Sequence, residues 1–372
     1  MIYSFIDLVL KRVIVLIEIL QKVKSRIQLW RDNARRQIGM FIFDKEKIPL
    51  NKNNHLVIVR WDAKLGDAIV SSWFLREVKN NNPSMWITVI TTESMADLFK
   101  RFFFADEVIT IEKRPSYARL NMVANQLGDV EYLIHLGKKL KMKDIYFISK
   151  VKANHVVGLD DELDSVDIKV GRETEGVHFS DKFMSILNKM DMQPLSEDYV
   201  VPYFYEDEII VSSQWECDDK LVCFNPYGSG NARRLNRENI IKISRMLVDV
   251  FQTKVFILFP PDKASEAKDI VDTIRSDVFI FSDNPTIGCM IAQIRHCSLL
   301  VSVDTATIHI ASGLNKPTLA IYNPDMENYQ EWGPKNNKAR VVFSNYKDNL
   351  SVNNIDFCEL NKSLVEFKND ID

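Results

Sequence analysis

Asp304, Thr305 and His309 are the first residues whose types and spacing suggest chemistry. An apolar run, VSV, ends at Asp304-Thr305, a short helical run carrying His309 follows, and a second apolar run begins at Pro317. Backbone N–H groups at the start of a helix have no helical partner and favour an anion. We therefore interpret this corner, with Ala306 in it, as a diphosphate site. A lone histidine is often only structural, so both roles stay open for His309.

A glycine-rich turn is the second candidate, PYGSGNARRLN. Gly228 and Gly230 allow a close backbone approach, and Arg233 and Arg234 precede a helix whose predicted N-cap is Asn236. Glycines and guanidinium groups at a helix start are suited to phosphate. The alternative is a flexible loop with two solvated arginines. The turn lacks the GK[ST] of a Walker loop and the dinucleotide fingerprint GxGxxG.

Asp67 is the candidate general base, in the stretch KLGDAIVSS. It follows Gly66 where a strand turns into a helix, which places its carboxylate at the predicted ligand cleft. Aspartate is also a favoured helix N-cap, so the catalytic and the capping roles are alternatives. Asp62 is a competing carboxylate in the same loop, and Lys64 favours the ionised form of both. Arg60 ends the preceding strand.

The elements that must position these residues alternate between short apolar strands and helices of ten or more residues. This alternation starts at residue 55 and restarts at residue 221. It predicts an α/β protein with two Rossmann-like domains, each a parallel sheet with helices on both faces, and a ligand cleft where the carboxyl ends of both sheets meet. The predicted parts are an N-terminal helix and linker, an N-terminal domain, a C-terminal domain and a final helix: residues 1–50, 51–205, 206–345 and 346–372.

The first 36 residues predict one basic amphipathic helix with Trp30 and several arginines near its end. At about 100° per residue, seven apolar side chains share one face. Such a helix suits an anionic membrane surface. The alternative is that the face packs on the protein itself or on another subunit. No uncharged run is long enough to span a bilayer, and no signal peptide is recognised. The shared face comprises Ile2, Val9, Val13, Leu16, Leu20, Val23 and Ile27.

Composition excludes several classes of protein. A net charge of −3 gives no reason to expect nucleic acid, and the five cysteines form no CxxC or metal-binding spacing, which favours free thiols in a reducing compartment. We expect no metal and no other cofactor. One acidic cluster, Asp160-Asp161-Glu162, lies in a segment that is predicted to be irregular. Asp283 and Asn284 are weak candidates for lining a nucleotide pocket.

Three stretches together resemble the family 9 glycosyltransferases, the bacterial ADP-heptose:lipopolysaccharide heptosyltransferases. They are RWDAKLGDAIVSS, FNPYGSGNARRLN and VDTATIHIASGLNKPTLAIY, and the resemblance covers roughly residues 55–345. It implies a GT-B fold with the acceptor on the N-terminal domain and the nucleotide sugar on the C-terminal domain. It also implies an inverting transfer that needs no metal.

The resemblance implies roles for individual residues. Asp67 matches the family's general base, and Arg233 or Arg234 matches the basic residue that holds the donor phosphates. The donor-site motif D-[ST]-x-x-x-H corresponds to Asp304, Thr305 and His309. This chain departs from the family pattern in three places: Ala306 replaces a common glycine, Leu235-Asn236 replaces an aromatic-proline pair, and the loop before Gly66 is one residue longer.

The function implied by the resemblance is transfer of a heptose from ADP-heptose to the growing lipopolysaccharide core. The expected partners are the nucleotide sugar, the core acceptor and an anionic membrane, with no nucleic acid. The expected location is the cytoplasm, peripheral on the inner face of the inner membrane. The alternatives are a GT-B transferase that uses another nucleotide sugar, and a non-catalytic membrane scaffold for core assembly.

Overall fold

A computed structural model of the chain describes most of the 372 residues. The residues outside the description are Met1, Ala63, 215–220, 275–276, 282–284, 347–349 and Asp372, and the side chains of residues 2–22 and Ile371 are also outside it. The weak candidates Asp283 and Asn284 therefore lie outside the described residues.

The first sheet has six strands in the order β3-β2-β1-β4-β5-β6. Its strands are β1 (His55–Arg60), β2 (Trp86–Thr91), β3 (Glu107–Thr110), β4 (Asp129–His135), β5 (Lys152–Gly158) and β6 (Ile168–Lys169). The helices of this part of the chain are α1 (Ile2–Phe43), α2 (Leu65–Asn81), α3 (Glu93–Phe102), α4 (Tyr117–Leu127), α5 (Met142–Lys150), α6 (Phe179–Lys189) and α7 (Tyr205–Ser213).

The second sheet has six strands in the order β12-β11-β10-β7-β8-β9. Its strands are β7 (Val222–Asn225), β8 (Val255–Ile257), β9 (Val278–Phe279), β10 (Leu299–Val303), β11 (Thr318–Tyr322) and β12 (Ala339–Phe343). Its helices are α8 (Arg237–Phe251), α9 (Ala264–Ile274), α10 (Ile287–His296), α11 (Ala306–Gly313), α12 (Met326–Trp332) and α13 (Phe357–Ile371).

Both sheets are parallel and share one connectivity. Counted within each sheet, the strand order is 3-2-1-4-5-6, the doubly wound Rossmann order. The sequence-based prediction of an α/β protein with two Rossmann-like sheets is therefore confirmed. In such a sheet the strand order reverses between the first and fourth strands, and ligands bind beyond the carboxyl ends at that reversal. In the second sheet the reversal lies between β7 and β10.

The core of the second sheet explains why its strands are so apolar. All five residues of β10 and all five of β11 are buried, as expected for parallel strands covered by helices on both faces. Helices α8 and α13 add Ile240, Leu247, Leu360 and Leu364 to the same apolar cluster. This rigid layer sets the positions of the polar residues at its strand ends.

The chain divides into two compact units. The first unit comprises residues 1–59 and 112–173, and the second comprises residues 60–111 and 174–372. The second unit therefore contains α2 with the Asp67 turn as well as the whole second sheet. The predicted domain boundary at residues 205/206 stays a prediction.

The N-terminal helix is present and longer than expected. Helix α1 runs to Phe43, seven residues beyond the predicted end, and residues 44–54 form no regular structure. Of the predicted apolar face, Val23 and Ile27 are described and exposed, while the side chains of the five residues before them lie outside the description. No helix among the described residues combines the length and the apolarity needed to cross a bilayer.

Candidate active site

The strand ends of the second sheet hold a buried polar network. Asn225, the last residue of β7, donates from Nδ2 to Thr307 Oγ1 at 3.0 Å and to Ser302 Oγ at 3.4 Å. Ser302 lies in β10 and Thr307 in the first turn of α11, so this amide links two strands to the helix that follows them. Because all three side chains are buried, their hydrogen bonds fix how α11 leaves the sheet.

Asp304 lies where β10 meets α11 and is only 3% exposed. Its Oδ2 accepts a hydrogen bond from Asn328 Nδ2 at 2.8 Å and one from Arg233 Nη1 at 3.3 Å. The other end of the Arg233 guanidinium donates to Ser229 Oγ at 3.0 Å. Among the described contacts, Arg233 and not Arg234 reaches Asp304. The carbonyl of Arg234 instead accepts a hydrogen bond from Asn353 Nδ2 at 2.9 Å.

The two glycines of the turn are required for different reasons. A β-carbon on Gly228 would collide with the carbonyl oxygen of Arg233, so the chain folds back on itself only with glycine there. Gly230 has open space around it, but its φ of +83° lies in the region that residues with a β-carbon rarely adopt. The resulting turn carries Arg233 in a short 3₁₀ segment, Asn231–Arg233, and directs it to Asp304.

Thr305 is the N-cap residue of α11, and Ala306 is its first helical residue. Thr305 has an extended backbone, φ −165° and ψ 177°, and its side chain makes no capping hydrogen bond. The N–H of Ile308 donates to the Thr305 carbonyl at 3.1 Å, whereas the N–H groups of Ala306 and Thr307 receive no side-chain cap from Thr305. We call Asp304, Thr305, Ala306 and His309 the donor corner, after the donor-site motif that they resemble.

His309 lies one turn into α11 and is 4% exposed. Its ring meets Trp332 edge-on at 6.0 Å between centroids and Tyr199 at 6.5 Å, and its Nδ1 has no hydrogen-bond partner within the described part of the chain. Burial lowers the pKa of His309 to about 3, and repulsion from His178 acts in the same direction. His309 is therefore neutral near pH 7, able to donate or accept one hydrogen bond but not to serve as a cation.

Trp332 is a residue of this site to which sequence analysis assigned no role. Its indole stacks on Phe179 at 4.4 Å with an interplanar angle of 18°, and the next residue, Gly333, accepts a hydrogen bond at its carbonyl from His178 Nε2 at 3.0 Å. These contacts hold the indole against His309. The sequence signal was the Trp-Gly-Pro turn at residues 332–334, but nothing local in it indicates a histidine 23 positions earlier.

Asp67 is the third residue of α2 and is 6% exposed. The helix begins at Leu65, two residues earlier than predicted, and its N-cap is Lys64. The interpretation of Asp67 as a helix N-cap is therefore wrong, because that position is taken and Asp67 already has helical neighbours. The Asp67 carboxylate is therefore not used as the helix cap and is available for another role.

Three charged neighbours surround the Asp67 carboxylate. Arg60 Nη2 lies 3.5 Å from Asp67 Oδ1 and 3.7 Å from Asp62 Oδ2, and Lys64 Nζ lies 3.8 Å from Asp67 Oδ2. Burial raises the pKa of Asp67, Arg60 and Lys64 oppose the rise, and Asp62 adds to it. Arg60 is itself 5% exposed, and its Nε and Nη2 have no hydrogen-bond partner among the described residues. Asp62 and Lys64 are open to solvent.

Gly66 brings the Asp67 turn against the donor corner. A β-carbon at Gly66 would lie 3.1 Å from His309 Cδ2 and 3.4 Å from the α-carbon of Ala306. The first turns of α2 and α11 are therefore in direct contact within the second unit. The structure thus brings together Arg60, Gly66 and Asp67 with the donor corner and Arg233, whereas Arg234 makes no contact with that corner among the described contacts.

Comparison with known proteins gives a consistent result. Residues 166–358, just over half of the chain, match the family model of glycosyltransferase family 9 (heptosyltransferase). A protein of Escherichia coli strain K12, provisionally named lipopolysaccharide heptosyltransferase 4, is 24% identical over 302 residues, covering 77% of this chain and 81% of its own length. Asp67 lies outside the residues matched by the family model.

Two solved structures share the fold. A family 9 glycosyltransferase from Veillonella parvula superposes with a TM-score of 0.70 at 18% identity, covering 87% of this chain and 99% of its own. The ADP-heptose lps heptosyltransferase II of E. coli superposes with a TM-score of 0.65 at 16% identity, covering 86% and 98%. The fold is therefore the GT-B fold of these enzymes. With the family model matched over more than half of its length, the chain belongs to glycosyltransferase family 9, the heptosyltransferases, and is a glycosyltransferase.

Proposed function

We propose that this enzyme transfers a heptose from ADP-heptose to the growing lipopolysaccharide core, with inversion at the anomeric carbon and without a metal ion. The names of its E. coli relatives support the substrate class. The observation that carries the proposal is the contact of Gly66 with His309 and Ala306. This contact sets a buried carboxylate beside a helix N-terminus that suits a diphosphate.

The reaction is an in-line displacement at the anomeric carbon. An acceptor hydroxyl oxygen forms the new bond to that carbon, and the bond from the carbon to the diphosphate oxygen breaks. The hydroxyl proton passes to the Asp67 carboxylate, and ADP departs with the bonding electron pair. General-base assistance of this kind contributes about 10²–10⁴-fold to the rate.

Arg60 keeps Asp67 competent as a base. Burial favours the protonated carboxyl, which cannot accept a proton, and the nearby guanidinium offsets this effect. A raised pKa makes the ionised Asp67 carboxylate a stronger base than an exposed aspartate, and Arg60 favours that ionised form.

Positive charge for the leaving diphosphate comes from Arg233 and the N-terminus of α11. Arg233 is already held near the donor corner by Asp304 and Ser229, so little ordering is required when the ligand binds. Thr305 offers a hydroxyl that is not used for capping. Neutral His309 contributes a hydrogen bond rather than a charge.

The location follows from the acceptor. A lipopolysaccharide core grows on a lipid anchor, so we propose that the enzyme works peripherally on the cytoplasmic face of the inner membrane. The basic helix beginning the chain, residues 1–36, would supply contact with the anionic surface.

The direct test is a mass-spectrometric assay of ADP-heptose with defined core acceptors, with and without EDTA, and with the anomeric configuration of the product read by NMR. We expect a product heavier by one heptose, an inverted linkage and no effect of EDTA. Turnover with another nucleotide sugar alone would instead identify a different GT-B transferase. Absence of nucleotide-sugar binding by calorimetry would favour a non-catalytic scaffold.

Replacing Asp67 tests the assigned base. Asp67→Asn keeps the shape of the side chain and should reduce transfer by at least 10²-fold while ADP affinity stays within a few-fold of the native value. Asp62→Asn, which changes the competing carboxylate in the same loop, should retain transfer. Full activity in Asp67→Asn would exclude Asp67 as the base.

A further inference from the structure

The described part of α1 carries a row of exposed apolar side chains that we call the apolar stripe: Val23, Ile27, Trp30, Ile38 and Phe41. Their exposed fractions run from 47% for Val23 to 91% for Phe41. At about 100° per residue they fall within a band about 80° wide along one side of the helix. The stripe continues, by spacing, the face predicted from the first 27 residues.

The rest of the first unit packs on the other side of this helix. Arg36, Gly39 and Phe43 face the body: Phe43 meets Tyr146 of α5 at 5.2 Å between ring centroids, and a β-carbon at Gly39 would lie 3.0 Å from Met142 Cγ. Arg36 is about 180° around the helix from Ile27. The two described members of the predicted apolar face, Val23 and Ile27, therefore point away from this packed side, and packing of the face as a whole stays a prediction.

The charges beside the stripe indicate what covers it. Lys24, Arg26, Arg31 and Arg35 are exposed on α1 between residues 23 and 43, while the only carboxylate in that interval is Asp32. Exposed apolar side chains, a tryptophan and flanking cations suit a bilayer that contains anionic lipid, where the apolar side enters the interface and the cations meet headgroups. A second copy of this basic helix would instead bring like charges together.

Arg36 connects the helix to the loop at the carboxyl end of β4. It is 3% exposed and donates from Nη1 to the carbonyl of Leu140 at 2.8 Å and to Asp160 Oδ2 at 2.7 Å, and from Nη2 to Glu162 Oε2 at 2.7 Å. Asp160 Oδ2 also accepts the N–H of Leu140 at 2.7 Å. Two members of the acidic cluster noted in the sequence, Asp160 and Glu162, thus hold this arginine.

The loop held by Arg36 is strongly basic. Residues 137–141 read GKKLK, and Lys138, Lys139 and Lys141 are exposed on either side of the buried Leu140. Because the Leu140 carbonyl is bonded directly to Arg36, and its N–H is bonded to Asp160, which in turn is bonded to Arg36, the loop cannot shift along α1 without breaking buried, charge-assisted hydrogen bonds.

We infer that α1 is a membrane-docking arm whose apolar stripe lies on an anionic bilayer. The hydrogen bonds of Arg36 to Leu140, Asp160 and Glu162, which we call the Arg36 clamp, hold the basic loop 137–141 on the opposite side of the helix. The loop then lies about 10 Å above the hydrocarbon boundary. That height is set by one helix diameter and matches the headgroup layer. The loop lysines then face the phosphates and sugars of an amphiphilic acceptor. This inference deepens the proposed function and rests on it for the identity of the acceptor.

Vesicle sedimentation tests the stripe without any assay of transfer. The full chain with Trp30→Glu and Phe41→Glu should lose at least 10-fold in affinity for phosphatidylglycerol-containing vesicles. The matched control is Leu29→Glu, since Leu29 is 62% exposed but lies off the stripe, and it should bind as the native chain does. Equal effects of the two changes, or equal native binding to neutral phosphatidylcholine vesicles, would overturn the inference. Stripe-dependent dimerisation without vesicle binding would overturn it too, because a second copy would then cover the stripe.

A test of the Arg36 clamp requires a variant that still folds. Arg36→Met combined with Asp160→Asn removes both buried charges, so neither is left unpaired, and circular dichroism verifies the fold. We expect native vesicle binding and native transfer to a delipidated core oligosaccharide, but at least 5-fold slower transfer to the same acceptor acylated and embedded in vesicles. Equal rates on both acceptors would refute the role of the clamp. If the native chain transfers to neither acceptor, the proposed function fails, whereas the vesicle result still decides the stripe.

Discussion

Gly66 of α2 lies against the His309 ring of α11 so closely that a β-carbon added there would stand 3.1 Å from His309 Cδ2. The separation is tighter than an ordinary van der Waals contact, so a methyl group must displace the ring or the helix. Gly66 is therefore needed for close packing of two helices rather than for a turn, and its chain neighbour Asp67 gains its place beside the donor corner from that packing.

Gly66→Ala should lower activity without lowering stability. Alanine favours a helix over glycine by about 0.5–1 kcal/mol, so the melting temperature should hold or rise slightly. The displaced donor corner should nevertheless lower kcat/KM at least 10-fold. In a His309→Ala background the same change should cost little further, because the ring it displaces is absent. Additive losses in this double-mutant cycle would contradict the packing explanation.

The pH dependence of transfer should respond to the neighbours of Asp67 in opposite directions. Arg60 lowers the pKa of this carboxyl and Asp62 raises it. Because the base must be ionised, kcat/KM should rise with pH through the pKa of Asp67. Arg60→Met should move this acidic limb to higher pH, and Asp62→Asn should move it to lower pH. A profile of kcat/KM between about pH 4 and 8 measures both. If neither change moves the acidic limb of the kcat/KM profile, that limb reports the ionisation of a group other than Asp67.

The two adjacent arginines should differ in nucleotide binding. Arg233 reaches the donor corner. A charge-assisted hydrogen bond from its guanidinium to a phosphate of ADP would contribute about 1.5–3 kcal/mol, which corresponds to roughly 10–100-fold in affinity. Titration calorimetry with ADP should show that loss for Arg233→Met. Arg234→Met is the matched control and should bind within about threefold of the native enzyme. A larger loss of ADP affinity for Arg234→Met than for Arg233→Met would show that the turn rearranges around the ligand.

A buried ion pair should stabilise the segment that carries Trp332. Lys182 is 2% exposed, and its Nζ lies 3.1 Å from Glu331 Oε1 and donates to the carbonyl of Thr174 at 3.1 Å. Lys182→Met removes the cation from a buried carboxylate and should lower the free energy of unfolding by about 3–5 kcal/mol, measured in denaturant. Lys182→Met with Glu331→Leu should recover most of that loss. A double variant as unstable as the single one would contradict the ion-pair explanation.

Local features were predictable because they depend on residues close in sequence. The strand HLVIVR was predicted at residues 55–60 and is β1, and the predicted N-cap Asn236 accepts a hydrogen bond from the N–H of Asn239 at 2.9 Å. The start of α2 was misplaced since Gly66 resembled a loop residue. In the folded chain that glycine is helical and serves a contact with a residue more than 200 positions away.

The sequence by itself determined the alternation of strands and helices, the two-sheet α/β architecture and the three stretches that carry the site, because periodicity and motif spacing are local properties. Tertiary structure alone decided that Arg233 rather than Arg234 reaches Asp304, that Asp67 is a buried helical residue beside Arg60, and that the apolar stripe of α1 is exposed while Arg36 is buried. Each of these depends on contacts between residues distant in the chain, whose geometry is set only when the sheets and helices pack.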